Sequence, residues 1–252
     1  MRDAPPIREA VIESLDHEGR GVSHVDGKTI FIEGALPGER VSFKSYKIKP
    51  NFELAEVARV FEPSAQRVTP RCEYFGVCGG CSMQHLEPSA QVAAKQRVLE
   101  NALWHIGRVR PEVLYPAIVG PSWGYRYRAR LTVRQVPSKG GILIGFHERR
   151  SSYISDMRRC PILPPHVSAL LPALHDLVAG LSIPDRIPQI EVAVGEGITV
   201  LVFRHLLPLT KKDEAILRKR IRLAQPDGPV FPPGRRNRPA PWKSGPAGRA
   251  SR

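Results

Sequence analysis

Residues 71–85 read RCEYFGVCGGCSMQH and hold three of the chain's four cysteines, Cys72, Cys78 and Cys81, spaced C-x5-C-x2-C. The fourth, Cys160, lies far downstream and is followed by Pro161. Three clustered thiols plus one remote thiol make a four-ligand metal set. Zinc sites usually pair their ligands two and two. The three-plus-one pattern, with Gly79-Gly80 allowing close backbone approach, fits a [4Fe–4S] cubane better, and Cys-Pro at the remote position is familiar from ferredoxin-like sites. On spacing alone, zinc and unligated or redox-active thiols stay open. If Cys160 joins the site, it closes a loop of 79 positions back to Cys81. The metal then ties the segment after the N-terminal region to the downstream part, and metal loss loosens that docking. His85 is read as a packing or supporting residue, not a ligand.

Upstream, residues 7–61 read as a small all-β module. Strand-like stretches are Ala10–Leu15, Lys28–Ile32, Arg40–Tyr46 and Leu54–Phe61, with glycines 19, 21, 27, 34 and 38 at the corners. Asp26-Gly27 is a hairpin signal, since both residues tolerate positive φ. Short strands, glycine corners and no helix fit an OB-like barrel. Lys44, Lys47 and Lys49 lie among Phe43, Tyr46 and Phe52, a mixture suited to stacking bases and tracking phosphates. Phe43 is expected to fill the barrel instead.

Downstream, Pro88 opens a helix whose Val92, Leu99, Ala102, Leu103 and Ile106 recur at helical spacing up to Gly107, an amphipathic packing helix. Tyr125–Val136, Gly141–Phe146 and Ser152–Met157 read as strands, and His166–Ala179 as a helix. Ile190–Val194 and Ile198–Phe203 read as a hairpin. Thr210, with Asp213 three residues on, caps a further helix. The last 31 residues, 222–252, hold seven Pro, four Gly and seven Lys+Arg against one acid. That composition cannot bury enough apolar surface to offset its ordering entropy, so disorder is expected. The fold class is α+β multidomain: a barrel over 1–65, the cysteine loop and helix over 66–107, a central α+β region over 108–221 and the tail over 222–252.

Lys+Arg 38 against Asp+Glu 24 leaves a net charge of +14, which points to a polyanionic partner. In YRYRARLTVRQV, residues 125–136, strand alternation puts Arg126, Arg128, Arg130, Thr132 and Arg134 on one face. Same-face residues stand roughly 6.6–6.8 Å apart, close to the spacing of successive phosphates, and guanidinium forks grip phosphate oxygens. Arg149, Arg150, Arg158 and Arg159 extend the patch. No apolar run approaches a membrane span, and the N-terminus lacks the apolar core of a signal peptide. A cytoplasmic, monomeric protein that makes no contact with membrane is expected. No glycine-rich nucleotide loop or hydrolase triad is present, and if all four cysteines bind metal no thiol is left as nucleophile.

Taken together, Cys72 through His85 with its C-G-G-C-S-M-Q-H ending, Tyr127-Arg128-Ala129-Arg130-Leu131, Gly145-Phe146-His147-Glu148-Arg149-Arg150 and Cys160-Pro161 resemble the bacterial 23S rRNA (uracil-C5) methyltransferases of the RlmD type, from about residue 7 to about 220. The resemblance implies a TRAM barrel, a [4Fe–4S] cluster on Cys72, Cys78, Cys81 and Cys160, and 23S ribosomal RNA as partner. It also implies methyl transfer from S-adenosylmethionine to uracil C5, through a cysteine thiolate that adds to a flipped-out base. The family's cofactor-binding domain, nucleophile and base find no counterpart before the Pro/Arg-rich tail. The expectation is therefore a recognition portion truncated before its catalytic domain, inactive by itself. The alternative is a non-catalytic RNA-binding protein stapled by iron–sulfur or zinc.

Overall fold

A computed structural model of the chain describes residues 6–224. The expected disordered tail lies outside them beyond Ala224. The N-terminal sheet has six strands, β1 (Arg8–Val11), β2 (Ser14–Leu15), β3 (Gly21–Val25), β4 (Lys28–Glu33), β5 (Arg40–Ile48) and β6 (Phe52–Glu62), in the order β1-β5-β6-β4-β3-β2. Its two edge strands are consecutive in the chain. Between them Ile12 N–H donates to the Glu39 carbonyl and Glu13 N–H to the Val22 carbonyl, so the sheet curls until its edges share one run of backbone. Edge groups that would otherwise be unpaired are thereby satisfied. Ile12, Ile30, Ile32, Val41, Phe43 and Ala55 fill the interior. Asp26 and Gly27 take φ of 51° and 74°, the turn their pairing predicts. β3 is not among the strand-like stretches read from the sequence, because Gly21 reads as a corner. Gly21 instead starts a strand against Ile12 and Ala35, where an added Cβ would come within 2.9 Å of the Ile12 side chain.

The second sheet has four strands, β7 (Arg128–Val136), β8 (Gly141–Gly145), β9 (Gln189–Gly195) and β10 (Ile198–Arg204), in the order β10-β9-β7-β8, all neighbours antiparallel. One face is apolar and carries a helix, α2 (Pro165–Ala179), whose Val167, Leu171, Leu174 and Val178 recur at i, i+4, i+7 and i+11. They meet Leu131, Val133, Ile144, Ile190 and Val192 in one core. The other face is open. A further helix, α3 (Lys211–Ala224), begins in the predicted capping box: Asp213 N–H donates to Thr210 Oγ1, and the Asp213 carboxylate accepts the Thr210 N–H. This helix runs three residues into the segment expected to be disordered.

Two sequence expectations are corrected. Ser152–Met157 is no strand. Ser155 and Met157 donate backbone N–H to the Phe146 and Ile144 carbonyls, but the Ile144 N–H goes to the Asp156 carboxylate, so a side chain interrupts the ladder. The helix α1 (Pro88–Asn101), continued by a wider π-type turn over Ala102–Ile106, is not an apolar-faced packing helix. Among the described residues it touches a core through its first two turns, with Ala90 and Ala94 on Leu36 and Leu86, while Leu99 and Ile106 are 53% and 83% exposed.

Candidate metal centre and nucleic-acid face

The cysteine loop is built of tight turns. Phe75 N–H donates to the Cys72 carbonyl and Cys78 N–H to the Tyr74 carbonyl, while Cys72 N–H donates to Gln84 Oε1 and ties the two ends of the loop together. Cys160 is set on the other side by its N–H to Ser168 Oγ, in the first turn of α2. Arg158 N–H donates to the Tyr74 hydroxyl across the gap. Cys72, Cys78, Cys81 and Cys160 consequently line one cavity, rimmed by Tyr74, Phe75, Phe146, Met157 and Ile162. All four are free thiols. Among the described residues no three His, Cys, Asp or Glu side chains are drawn together as a single ion would hold them. The donor set itself suits a soft metal or cluster: four thiols, an apolar surround, and the Gly80 N–H donating to Cys78 Sγ at 3.4 Å. Burial pushes the Cys72 and Cys78 thiols up and Cys160 to about 11. Metal-free, the buried pair Cys78 and Cys160 is held protonated at neutral pH.

A turn of the second sheet cradles this loop. Gly79 N–H donates to the His147 carbonyl at 2.8 Å, Arg149 N–H to the Val77 carbonyl at 2.8 Å and Arg149 Nη2 to the Cys81 carbonyl at 2.5 Å. A Cβ on Gly79 would sit 3.0 Å from the His147 oxygen, so the glycine the motif supplies is required by close backbone approach. The same turn reaches the barrel: Arg150 stacks 3.8 Å over Tyr46 and pairs with Glu56 at 2.7 Å and Glu33 at 3.7 Å. A cleft of about 500 Å³ opens where barrel, loop and turn meet, lined by Arg20, Glu33, Ser82, Arg126 and Phe146 among others. His85 packs beneath. It is 2% exposed, lies 5.4 Å from the Phe75 ring, and neither ring nitrogen has a hydrogen-bond partner, so burial lowers its pKa to about 4.

The arginine strip holds in part. Arg128, Arg130 and Arg134 are exposed on the open face of β7, alternating with buried Ala129, Leu131 and Val133. Arg128 and Arg130 have no ion-pair partner among the described residues. Arg204, on β10, joins the same face and holds Glu191, which stands opposite Arg130. Arg126 does not belong to this face. It precedes the strand and lies 4.7 Å over the Phe146 ring, in the cleft. Arg149 and Arg150 are committed to the joint, while Arg158 and Arg159 pair with Asp156 and Glu73. Lys44 and Lys47 are exposed on β5, on the other sheet. Phe43 is buried as expected, and Tyr46 is no free stacking platform, because its hydroxyl donates to Glu33 beneath Arg150. Alternation reported the face of each β7 residue but could not report that the chain leaves the strand before Arg128. Among the described residues no helix is long and apolar enough to cross a membrane.

The TRAM domain family model matches residues 7–58. The chain is 72% identical over 208 residues to the 23S rRNA (uracil(1939)-C(5))-methyltransferase RlmD of Aromatoleum aromaticum, covering 82% of this chain and 48% of that protein. It is 69% identical over 209 residues to RlmD of an Azoarcus species (83% and 48%), and 61% identical over 207 residues to RlmD of Bordetella pertussis (82% and 44%). Among solved structures it resembles the tRNA (uracil-54, C5)-methyltransferase of Pyrococcus abyssi, crystallised with S-adenosyl-L-homocysteine, at a TM-score of 0.59 and 20% identity over 82% of this chain and 48% of that one. That likeness is one of fold. The chain spans about half the length of the curated relatives it matches, and over that span it is similar in sequence to the RlmD 23S rRNA (uracil-C5) methyltransferases.

Proposed function

We propose that this chain is the RNA-recognition and [4Fe–4S]-binding portion of an S-adenosylmethionine-dependent 23S rRNA uracil-C5 methyltransferase, acting in the cytoplasm. The observation that carries the reading is the convergence of Cys72, Cys78, Cys81 and Cys160, from two separate segments, on one cavity, in a chain whose β7 also presents an outward arginine row. Four thiols round one apolar cavity, three from one loop and one remote, suit a cluster, and the three-plus-one spacing favours it over zinc, whose ligands usually come two and two. When bound, the cluster supplies a covalent staple between the loop and the central sheet. In this reading residues 1–65 and 108–221 are two RNA-facing lobes and 66–107 carries the cysteine loop and helix between them. Arg128, Arg130 and Arg134 bind successive phosphates, with Lys44 and Lys47 adding contacts from the barrel. Phosphate contacts position the RNA without reading its sequence. With all four thiols committed to metal, the described residues offer no thiolate to add to uracil C6 and no glycine-rich loop for the methyl donor. Methyl transfer itself is assigned to the half of the relatives' length that this chain does not match.

The test is to purify the chain anaerobically, assay iron, acid-labile sulfide and zinc, and titrate it with a 23S rRNA fragment over a range of salt. About four irons and four sulfides per chain are expected. Replacing Arg128 and Arg130 by Ala should weaken binding and flatten the salt slope by about one unit per lost phosphate contact. A colourless, iron-free chain that stays compact would sink the cluster. One zinc per chain would favour the zinc-stapled RNA-binding protein, and an unchanged salt slope would place those arginines away from RNA.

A further inference from the structure

The turn after β8 carries more than packing. Arg149 is only 17% exposed, and three of its contacts converge on the cysteine loop. Its backbone N–H holds the Val77 carbonyl, immediately before Cys78, and its guanidinium holds the Cys81 carbonyl. The guanidinium also lies 5.3 Å over the ring of Phe75, which lines the thiol cavity. Both ends of the C-x2-C arc are therefore gripped by one residue. Its counter-charge comes from another part of the molecule: Glu33, on β4 of the barrel, stands 3.6 Å away.

Four thiolates around a cubane or a divalent ion leave a net negative charge, and a half-buried cation beside them is screened less than a surface one. We propose, resting on the reading of the four cysteines as cluster ligands, that Arg149 is a positioning residue of the metal centre that fixes the Cys78–Cys81 arc and balances its negative charge, with Glu33 of the barrel setting how much of that charge the centre receives. The barrel then tunes the centre without supplying a ligand.

The experiment is film voltammetry on the full chain, loaded anaerobically, with the electrode supplying the single electron that reduces the cluster. Metal and sulfide are measured on the wild type before any variant. An iron-free wild type overturns the cluster reading and this inference with it. Given a loaded wild type, Arg149→Gln should move the reduction potential more negative, because the reduced centre loses a balancing charge. Arg149→Lys should restore most of that shift while releasing iron to a chelator several-fold faster, since a lysine cannot hold the carbonyl and the ring together. Glu33→Gln should move the potential the opposite way. If Arg149→Gln fails to hold a cluster, Glu33→Gln still decides: a positive shift supports the proposal and no shift overturns it. Potentials that coincide across all loaded variants reduce Arg149 to packing.

Discussion

Arg67→Ala is expected to unfasten the end of the barrel. Glu39 has no exposed surface, and its carboxylate accepts four hydrogen bonds. Leu36 N–H donates at 2.8 Å, Ser64 N–H at 3.1 Å, and Arg67 Nε and Nη2 at 2.5 and 2.7 Å. The same Nη2 reaches the Gly34 carbonyl at 2.7 Å. Burial pushes the Glu39 carboxyl up, but Arg67 and the two backbone donors outweigh it and hold the group below its ordinary value. Truncating one partner of a buried pair costs roughly 3–5 kcal/mol, because the other charge is left uncompensated. Arg67 is one-quarter exposed, and each carboxylate oxygen keeps one backbone donor, which places the cost near the lower end, about 3 kcal/mol. For a unit of this size that is a drop in Tm of roughly 12–24 °C. Glu39→Gln added to Arg67→Ala should recover part of the loss by removing the stranded charge. The pH dependence has a definite sign. A depressed acid contributes in full above its unfolded value, near 4.5, and loses that contribution as pH falls through the folded value. The gap between wild type and Arg67→Ala should therefore narrow in acid. Thermal unfolding followed by circular dichroism at pH 7 and pH 4 measures both. A Tm within a few degrees of wild type at pH 7, with no narrowing at pH 4, would refute the reasoning and class the pair with exposed ones.

Gly145→Ala should destabilise the central sheet severely, because a Cβ there would lie 1.9 Å from the Ser155 backbone oxygen; a soluble variant with wild-type Tm would show that the 152–157 segment yields freely. His85 stays neutral when folded down to about pH 4 but takes a proton near 6.5 when unfolded, so stability should fall by ~3 kcal/mol as pH drops between those values. Chemical denaturation of His85→Leu across that window should give a flatter profile than wild type, and parallel profiles would contradict the assignment. In the metal-free chain Cys160 should resist iodoacetamide at pH 8 and react faster only as pH approaches about 11, as read by peptide mass spectrometry; reaction at the rate of an ordinary exposed thiol would show that the cavity is open.

What could be read from the sequence follows the range over which each signal acts. Alternation in residues 128–136 and the Thr210–Asp213 cap are local, and both appear as read. The three-plus-one cysteine pattern names its members whatever the fold between them, so all four could be placed round one site before any geometry was known. The joint could not be read so far. Arg149 and Arg150 looked like two more cations for RNA, because nothing near them in sequence shows that Glu33, Tyr46 and Glu56 wait on another sheet. Glu39 and Arg67 went unnoticed for the same reason: their 28-residue separation carries no period. Ser152–Met157 reads as a strand but does not form one, because a strand-like composition does not report that the Asp156 carboxylate takes the Ile144 N–H.

The register of the central sheet joins the two proposed activities. Thr132, between Arg130 and Arg134 on the open face, pairs directly with Gly145, the residue that leads into the Phe146–Arg150 turn. That turn holds the cysteine loop through Gly79 and Cys81. In the proposed reading a phosphate backbone laid along β7 would restrain the strand, and through the Thr132–Gly145 pair the turn and the arc of thiols. Coupling of this kind is reciprocal: whatever factor metal loading adds to RNA affinity, RNA adds to metal affinity. Typical coupling energies of 1–3 kcal/mol correspond to roughly 5–150-fold. The loaded chain should therefore bind a 23S rRNA fragment at least about 5-fold more tightly than the metal-free chain, and the same RNA should slow iron release to a chelator. Equal RNA affinity with and without metal, measured on chains of equal compactness at one salt concentration, would mean that the arginine face and the cysteine site share a sheet but not a free energy.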